Sequence, residues 1–162
     1  SMHRPYETAQ IILKKSQLQI TKVDELVEIG HGLWEGKLEN EIKNQWPELL
    51  DKWHNKPEEV IMPEGETIKE VSERSVKAWE KICLIQKNND LTLVVAHDAV
   101  NKTLICNLLG IDYSNIWMIK QGNGGITVVD IFNDPQKDNV ISALNITTHL
   151  GGILDSTASG AL

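Results

Sequence analysis

The run from Leu91 to Ala96, ending in His97-Asp98, constrains this chain more than any other stretch. It is apolar but for Thr92 and of strand length, the pattern of a parallel strand buried on both faces rather than of an antiparallel strand with a wet side. A helical pattern follows from about Val100 to Leu109 and is closed by Gly110. Strand and helix patterns alternate elsewhere too, which predicts an α/β fold with helices layered on a mostly parallel sheet. In such sheets functional groups collect beyond the carboxyl ends of the strands. His97 stands at that end, so it is the first residue to weigh.

The remaining elements follow from periodicity and breakers. A helix starts at Arg4, with Tyr6, Ala9, Ile12 and Leu13 on one face and Pro5 in its first turn. Leu18 to Val23 alternates as a strand does. Glu28 to Gly36 holds three glycines in nine residues and reads as an irregular loop. Leu38 to Trp53 is helical, with Ile42, Trp46, Leu49, Leu50 and Trp53 on its apolar face and a break or bend at Pro47. A loop from Pro57 leads to Thr67, which caps the next helix with Glu70 completing a capping box. That helix runs through Ile85, and Asn88-Asn89-Asp90 ends it. A turn at Gly122 to Gly125 precedes a strand from Ile126 to Phe132, and Val140 to Ile146 reads as a last strand. The small, polar tail from Gly151 to Leu162 is expected to be flexible. The 162 residues show no repeat and no dividing linker, so one domain is expected.

Composition excludes several classes. The net charge of −7 speaks against sequence-independent nucleic-acid binding and against adhesion to anionic membranes. No apolar run approaches the ~18 residues of a membrane span. Two cysteines are too few for a disulfide scaffold, and no Cys/His spacing reads as a zinc site. The expectation is a reduced, cytoplasmic chain. Cys83 and Cys106, set among Ile82, Leu84, Ile105 and Leu108, read as small core residues rather than nucleophiles.

Three side-chain types carry candidate chemistry. An imidazole beyond a buried strand and before a helix N-terminus, as at His97, stands where anions bind and can also exchange protons. A histidine satisfied by backbone bonds fits the same local pattern. Arg4, on a first helical turn, presents a planar fork matched to phosphate oxygens, although a solvated surface arginine reads identically. Glu28, between Val27 and Ile29, suits a general acid, and a loop carboxylate in water is the plain alternative. Glu35 offers the same role or merely holds its loop. His31, between Gly30 and Gly32, is equally an exposed turn residue.

In combination these pieces resemble the histidine phosphatase superfamily, also called phosphoglycerate-mutase-like. Arg4 with Thr8-Ala9 resembles its Arg-x-x-x-Thr-Ala helix, and Glu28 to Gly36 its Glu-x-x-x-Gly-x-Trp-Glu-Gly loop. Gly65-Glu66-Thr67 resembles its Gly-Glu-Ser/Thr helix start, and Val94-Val95-Ala96-His97 the strand that ends in an active-site histidine. Asn123-Gly124-Gly125 and Leu144 to Leu150 match in the same order. The stretch Val94 to Lys102 is similar to the cyanobacterial and plastid branch that includes 2-carboxyarabinitol-1-phosphatase-like proteins.

The resemblance implies a three-layer αβα sandwich around a mostly parallel sheet, with residues 38–67 as a cap over the site. It implies metal-independent hydrolysis of a small phosphorylated metabolite, a sugar or hydroxy-acid phosphate, through a phosphohistidine and without a cofactor. Arg4 and His97 would clamp the phosphoryl group, and Glu28 would move the proton. Asp98, His31, Glu35 and Asn123 would contact substrate. Nucleic acid and membrane are not implied as partners; a homodimer or a tandem domain is.

Two departures qualify this picture. No Arg-His-Gly occurs in the chain, so the nucleophile and the first strand are expected upstream of Ser1, and this chain alone is expected to be inactive. Asp98 stands where many relatives have Gly; a carboxylate beside a phosphate repels it unless it turns away or meets a cation. A mutase, and a non-catalytic phosphoester-binding or dimerising domain, are the competing readings.

Overall fold

A computed structural model describes residues 3–87, 90–132, 134 and 136–151. Five helices carry most of the regular structure: α1 (His3–Leu13), α2 (Glu39–Gln45), α3 (Pro47–Asn55), α4 (Ile68–Ile85) and α5 (Asp98–Leu109). Two strands, β1 (Ile126–Asp130) and β2 (Val140–Ile146), form an antiparallel pair.

Local chemistry sets most of these boundaries. Pro47 divides the predicted 38–53 helix in two, because its ring cannot continue α2 but suits the first position of α3. Thr67 accepts the Glu70 N–H through its hydroxyl, while the Glu70 carboxylate accepts the Thr67 N–H at 2.8 Å. This is the predicted capping box at the start of α4. At the end of α5, Gly110 takes φ +64°, a left-handed turn that a side chain would resist.

The core lies between the helices. Trp34, Ile42, Leu50, Trp53, Val60, Met62, Ile68, Val71, Val100, Leu104, Ile105 and Ile116 are all buried in one cluster. The Trp53 and Trp117 rings meet edge to face at 5.2 Å, and the Trp117 indole N–H donates to the Trp53 carbonyl at 2.7 Å. Helices α4 and α5 are joined inside the core by a hydroxyl pair, Ser75 and Thr103, at 3.1 Å.

The expected parallel sheet does not form among the described residues. Leu18–Val23 and Leu91–Ala96 enter no strand ladder. Leu91 is 98% exposed and Leu93 58%, so the run expected to be the most buried strand lies largely in solvent at its start. Apolar, β-branched composition sets a preference, but a strand also needs a partner backbone for its N–H and C=O groups. Of the other strand expectations, 126–132 is shortened to 126–130 and 140–146 is met in full. Residues 152–162, expected to be a flexible tail, lie outside the described residues, as do Asn88 and Asn89.

Truncation of Trp53 tests the core. Trp53→Ala should lower the unfolding free energy by about 3–5 kcal/mol in a urea titration, because packing is lost and a cavity remains. The bond from Trp117 reaches a backbone carbonyl and survives the substitution, so a loss below about 1 kcal/mol would refute this account of the core.

Candidate active site

His97 caps the N-terminus of α5, with extended backbone (φ −118°, ψ 171°) and its carbonyl accepting the Asn101 N–H at 2.9 Å. Only 5% of its side chain is exposed. Its Nδ1 lies 3.7 Å from Glu28 Oε2, and among the described residues its Nε2 has no hydrogen-bond partner. The free N–H groups of a helix start concentrate positive potential there. Burial pushes the imidazole below the ordinary histidine pKa; the Glu28 carboxylate pulls it back up, while Arg4 and Arg74 push it further down.

Glu28 is held by its loop. Its Oε1 accepts the Ile29 N–H at 3.0 Å. The loop itself is tied to the start of α4. Arg74 donates through Nη1 to the carbonyls of Glu25 (2.7 Å) and Val27 (2.8 Å), and through Nη2 to the carbonyl of Glu28 (3.1 Å). Its Nε and Nη2 also hold both carboxylate oxygens of Glu66, at 2.8 and 2.9 Å. Glu66 Oε2 in turn accepts the Gly30 N–H at 2.9 Å. Burial raises the Glu66 pKa, but the bonds from Arg74 and Gly30 outweigh it, so the carboxyl sits below its ordinary value.

Two glycines permit this close approach. A Cβ on Gly32, whose φ is +55°, would stand 2.1 Å from the Pro63 carbonyl oxygen, and one on Gly65 would stand 2.5 Å from that of Gly30. Bonds from Leu33 N–H to the Pro63 carbonyl (2.9 Å) and from Glu66 N–H to the Gly30 carbonyl (2.7 Å) complete the junction.

The other expected residues fall as follows. Arg4 is exposed on α1, and its charge reaches His97. His31 is half-buried beside the Trp53 ring, edge to face at 6.1 Å, with no partner for Nδ1 among the described residues. Burial lowers its pKa, against the raising effect of Glu28 and Glu35. Glu35 is exposed, and that field is its link to the site. Asp98 bonds the Lys102 ammonium at 2.8 Å, so its charge meets a cation of the chain itself. Asn123 lies exposed in the turn before β1. Cys106 is buried and Cys83 half-buried; burial raises both thiol pKa values, as suits core residues.

Of three further site-side residues, Glu66 stands in the Gly65-Glu66-Thr67 motif and Lys102 at the helical ion-pair spacing from Asp98, while Arg74 carries no local sequence signal of its role. Arg74 and Glu66 are eight positions apart, and the spacing alone says nothing of the three carbonyls that Arg74 gathers. Lys102, its side chain 9% exposed, sits one turn from Asp98 with its ammonium 4.6 Å from the centre of the Trp117 ring. An open cleft of about 330 Å³ runs along α4 between Glu25, Glu70, Lys77 and Lys81; its lining does not include His97 or Glu28. No group of three or more His, Cys, Asp and Glu among the described residues is placed to hold a metal ion. No helix among them is long and apolar enough to cross a membrane.

The sequence profile of the histidine phosphatase superfamily (branch 1) matches residues 1–146. The chain belongs to this superfamily. It is 33% identical over 150 residues to phosphoserine phosphatase 1 of Hydrogenobacter thermophilus, covering 93% of this chain and 69% of that protein. It is 28% identical over 132 residues to the 2-carboxy-D-arabinitol-1-phosphatase of wheat (Triticum aestivum), covering 82% of this chain and 26% of that one. Among solved structures, YhfR of Bacillus stearothermophilus superposes with a TM-score of 0.79 at 24% identity, over 86% of this chain and 68% of the other, a likeness of fold. The chain thus spans about two thirds of the bacterial relative and about a quarter of the plant one.

The buried histidine makes a stability prediction. A histidine whose folded pKa is lowered stabilises the fold fully above the unfolded value near 6.5 and loses that contribution as pH falls through the folded value. The difference in unfolding free energy between wild type and His97→Gln should therefore narrow as pH falls from about 7.5 to 5.5. Urea titrations across that range check it; a widening difference would show that burial does not dominate at His97.

Proposed function

We propose that the protein to which this chain belongs hydrolyses a phosphomonoester of a small metabolite through a phosphohistidine intermediate. The observation that carries the reading is the His97–Glu28 pair, 3.7 Å apart at the N-terminus of α5 and within the field of Arg4. The names of its relatives, phosphatases of small phosphorylated metabolites, support it.

In this reading the nucleophile is the histidine of an Arg-His-Gly segment outside these residues. Its ring nitrogen attacks phosphorus, an N–P bond forms and the ester P–O bond breaks. Glu28 gives its proton to the leaving oxygen, so the alcohol departs neutral. Water then attacks phosphorus as the N–P bond breaks, and its proton returns to Glu28. Arg4 and His97 hold the equatorial oxygens, adding to the positive end of α5 where charge is greatest in the transition state. His97 donates a ring N–H to a phosphoryl oxygen.

Residues 38–67, which include α2 and α3, act as a cap; the edge contact of His31 with Trp53 joins that region to the Glu28 loop. The Asp98–Lys102 ion pair keeps the Asp98 carboxylate from repelling phosphate.

Trapping tests the mechanism. A protein extended upstream through Arg-His-Gly should capture labelled phosphate in an acid-labile, base-stable form and turn over small phosphate esters. This chain alone should be slower by about 10⁴-fold or more, and His97→Ala in the extended protein should remove most of the activity. Robust hydrolysis of an aryl phosphate by this chain alone, or near-normal turnover by His97→Ala, would overturn the mechanism.

A further inference from the structure

We propose that Arg74 is a positioning residue for this reaction, fixing with Glu66 where the Glu28 carboxylate stands opposite His97. The inference rests on the role given to Glu28 above and adds how that role is made possible. The Val27 and Glu28 carbonyls belong to the two peptide planes that flank the Glu28 Cα. Arg74 holds both, at 2.8 and 3.1 Å. It holds the Glu25 carbonyl as well, at 2.7 Å, so the chain is gripped from the turn before Glu28 onward. Glu66 takes the next free donor, the Gly30 N–H.

With those planes fixed, the backbone angles of Glu28 have little freedom, and only its side-chain torsions remain. One of its oxygens is already engaged by the Ile29 N–H, which leaves Oε2 as the atom facing His97. Arg74 can do this because a guanidinium carries five N–H donors in a rigid plane, enough for a bidentate carboxylate and three carbonyls at once. A lysine keeps the charge but offers a single flexible point and cannot reproduce the fork. Arg74 is mostly buried, with 17% of its side chain exposed where it and Glu66 line the open cleft along α4.

A residue that merely stabilised the fold would lower activity on every substrate alike. A residue that aims a general acid matters only where the leaving oxygen needs a proton. The test uses the extended protein with two esters: an alkyl phosphate, whose leaving group needs protonation, and an aryl phosphate with an acidic phenol, whose leaving group does not. The readout is kcat/KM, which reports the phosphoryl transfer from each ester. Proton donation contributes about 10²–10⁴-fold, and small misplacements cost up to about 10²-fold. Arg74→Lys should therefore lose about 30- to 100-fold on the alkyl ester and less than about 3-fold on the aryl ester. Glu66→Gln, nearly isosteric, should show the same selectivity with a smaller loss, and it carries the test if Arg74→Lys unfolds at the assay temperature. Equal losses on both esters, or no loss on the alkyl ester, overturn the inference. Glu28→Gln is run beside them: selectivity in Glu28→Gln without selectivity in the other two refutes the positioning role alone. A Glu28→Gln without selectivity refutes the role of Glu28 itself, and the positioning role with it.

Discussion

The guanidinium of Arg74 is the point on which this site depends. It gathers carbonyls from the loop before α2 and the carboxylate that opens α4, and so joins two segments far apart in sequence. A carbonyl buried without a donor costs about as much as a lost hydrogen bond. Three carbonyls converging on one place therefore require a multiple donor there, and arginine is the side chain that supplies it. The glycines at 32 and 65 serve the same junction by letting backbone meet backbone where a Cβ would collide.

A second chain of contacts runs from His31 through Trp53 and Trp117 to Lys102 and Asp98. It begins in the Glu28 loop, crosses α3 and ends on the first turns of α5. The Trp53 edge lies against the half-buried His31 ring, and the Trp117 face covers the Lys102 ammonium. In a drier setting charges act over longer distances than at the surface, which suits a site proposed to hold a phosphate dianion with few positive groups. The Asp98–Lys102 pair adds no net charge there.

Much of the architecture was legible in the residues themselves. The capping box at Thr67, the break at Pro47 and the left-handed Gly110 are local events, decided within one helical turn, and they appear as expected. On α2 and α3, Ile42, Leu50 and Trp53 are buried on the face their spacing predicts. The strands were less legible. Val140–Ile146 pairs with Ile126–Asp130, but Leu18–Val23 and Leu91–Ala96 find no ladder among the described residues. A helix satisfies its own backbone, whereas a strand borrows that satisfaction from a neighbour, so strand preference is only half of a strand.

For the site, the sequence by itself determined the chemistry on offer. A histidine before a helix, a glutamate ahead of a glycine-rich loop and an arginine on a first turn each bring a fixed functional group, whatever surrounds them. Only the tertiary structure decided which of these groups meet. It set Glu28 beside His97 and brought Arg74 to carbonyls nearly fifty residues away in the chain. The physical reason is range: caps and turns are set by bonds between near neighbours, while the distance between a carboxylate and an imidazole is set by how two loops and two helices pack.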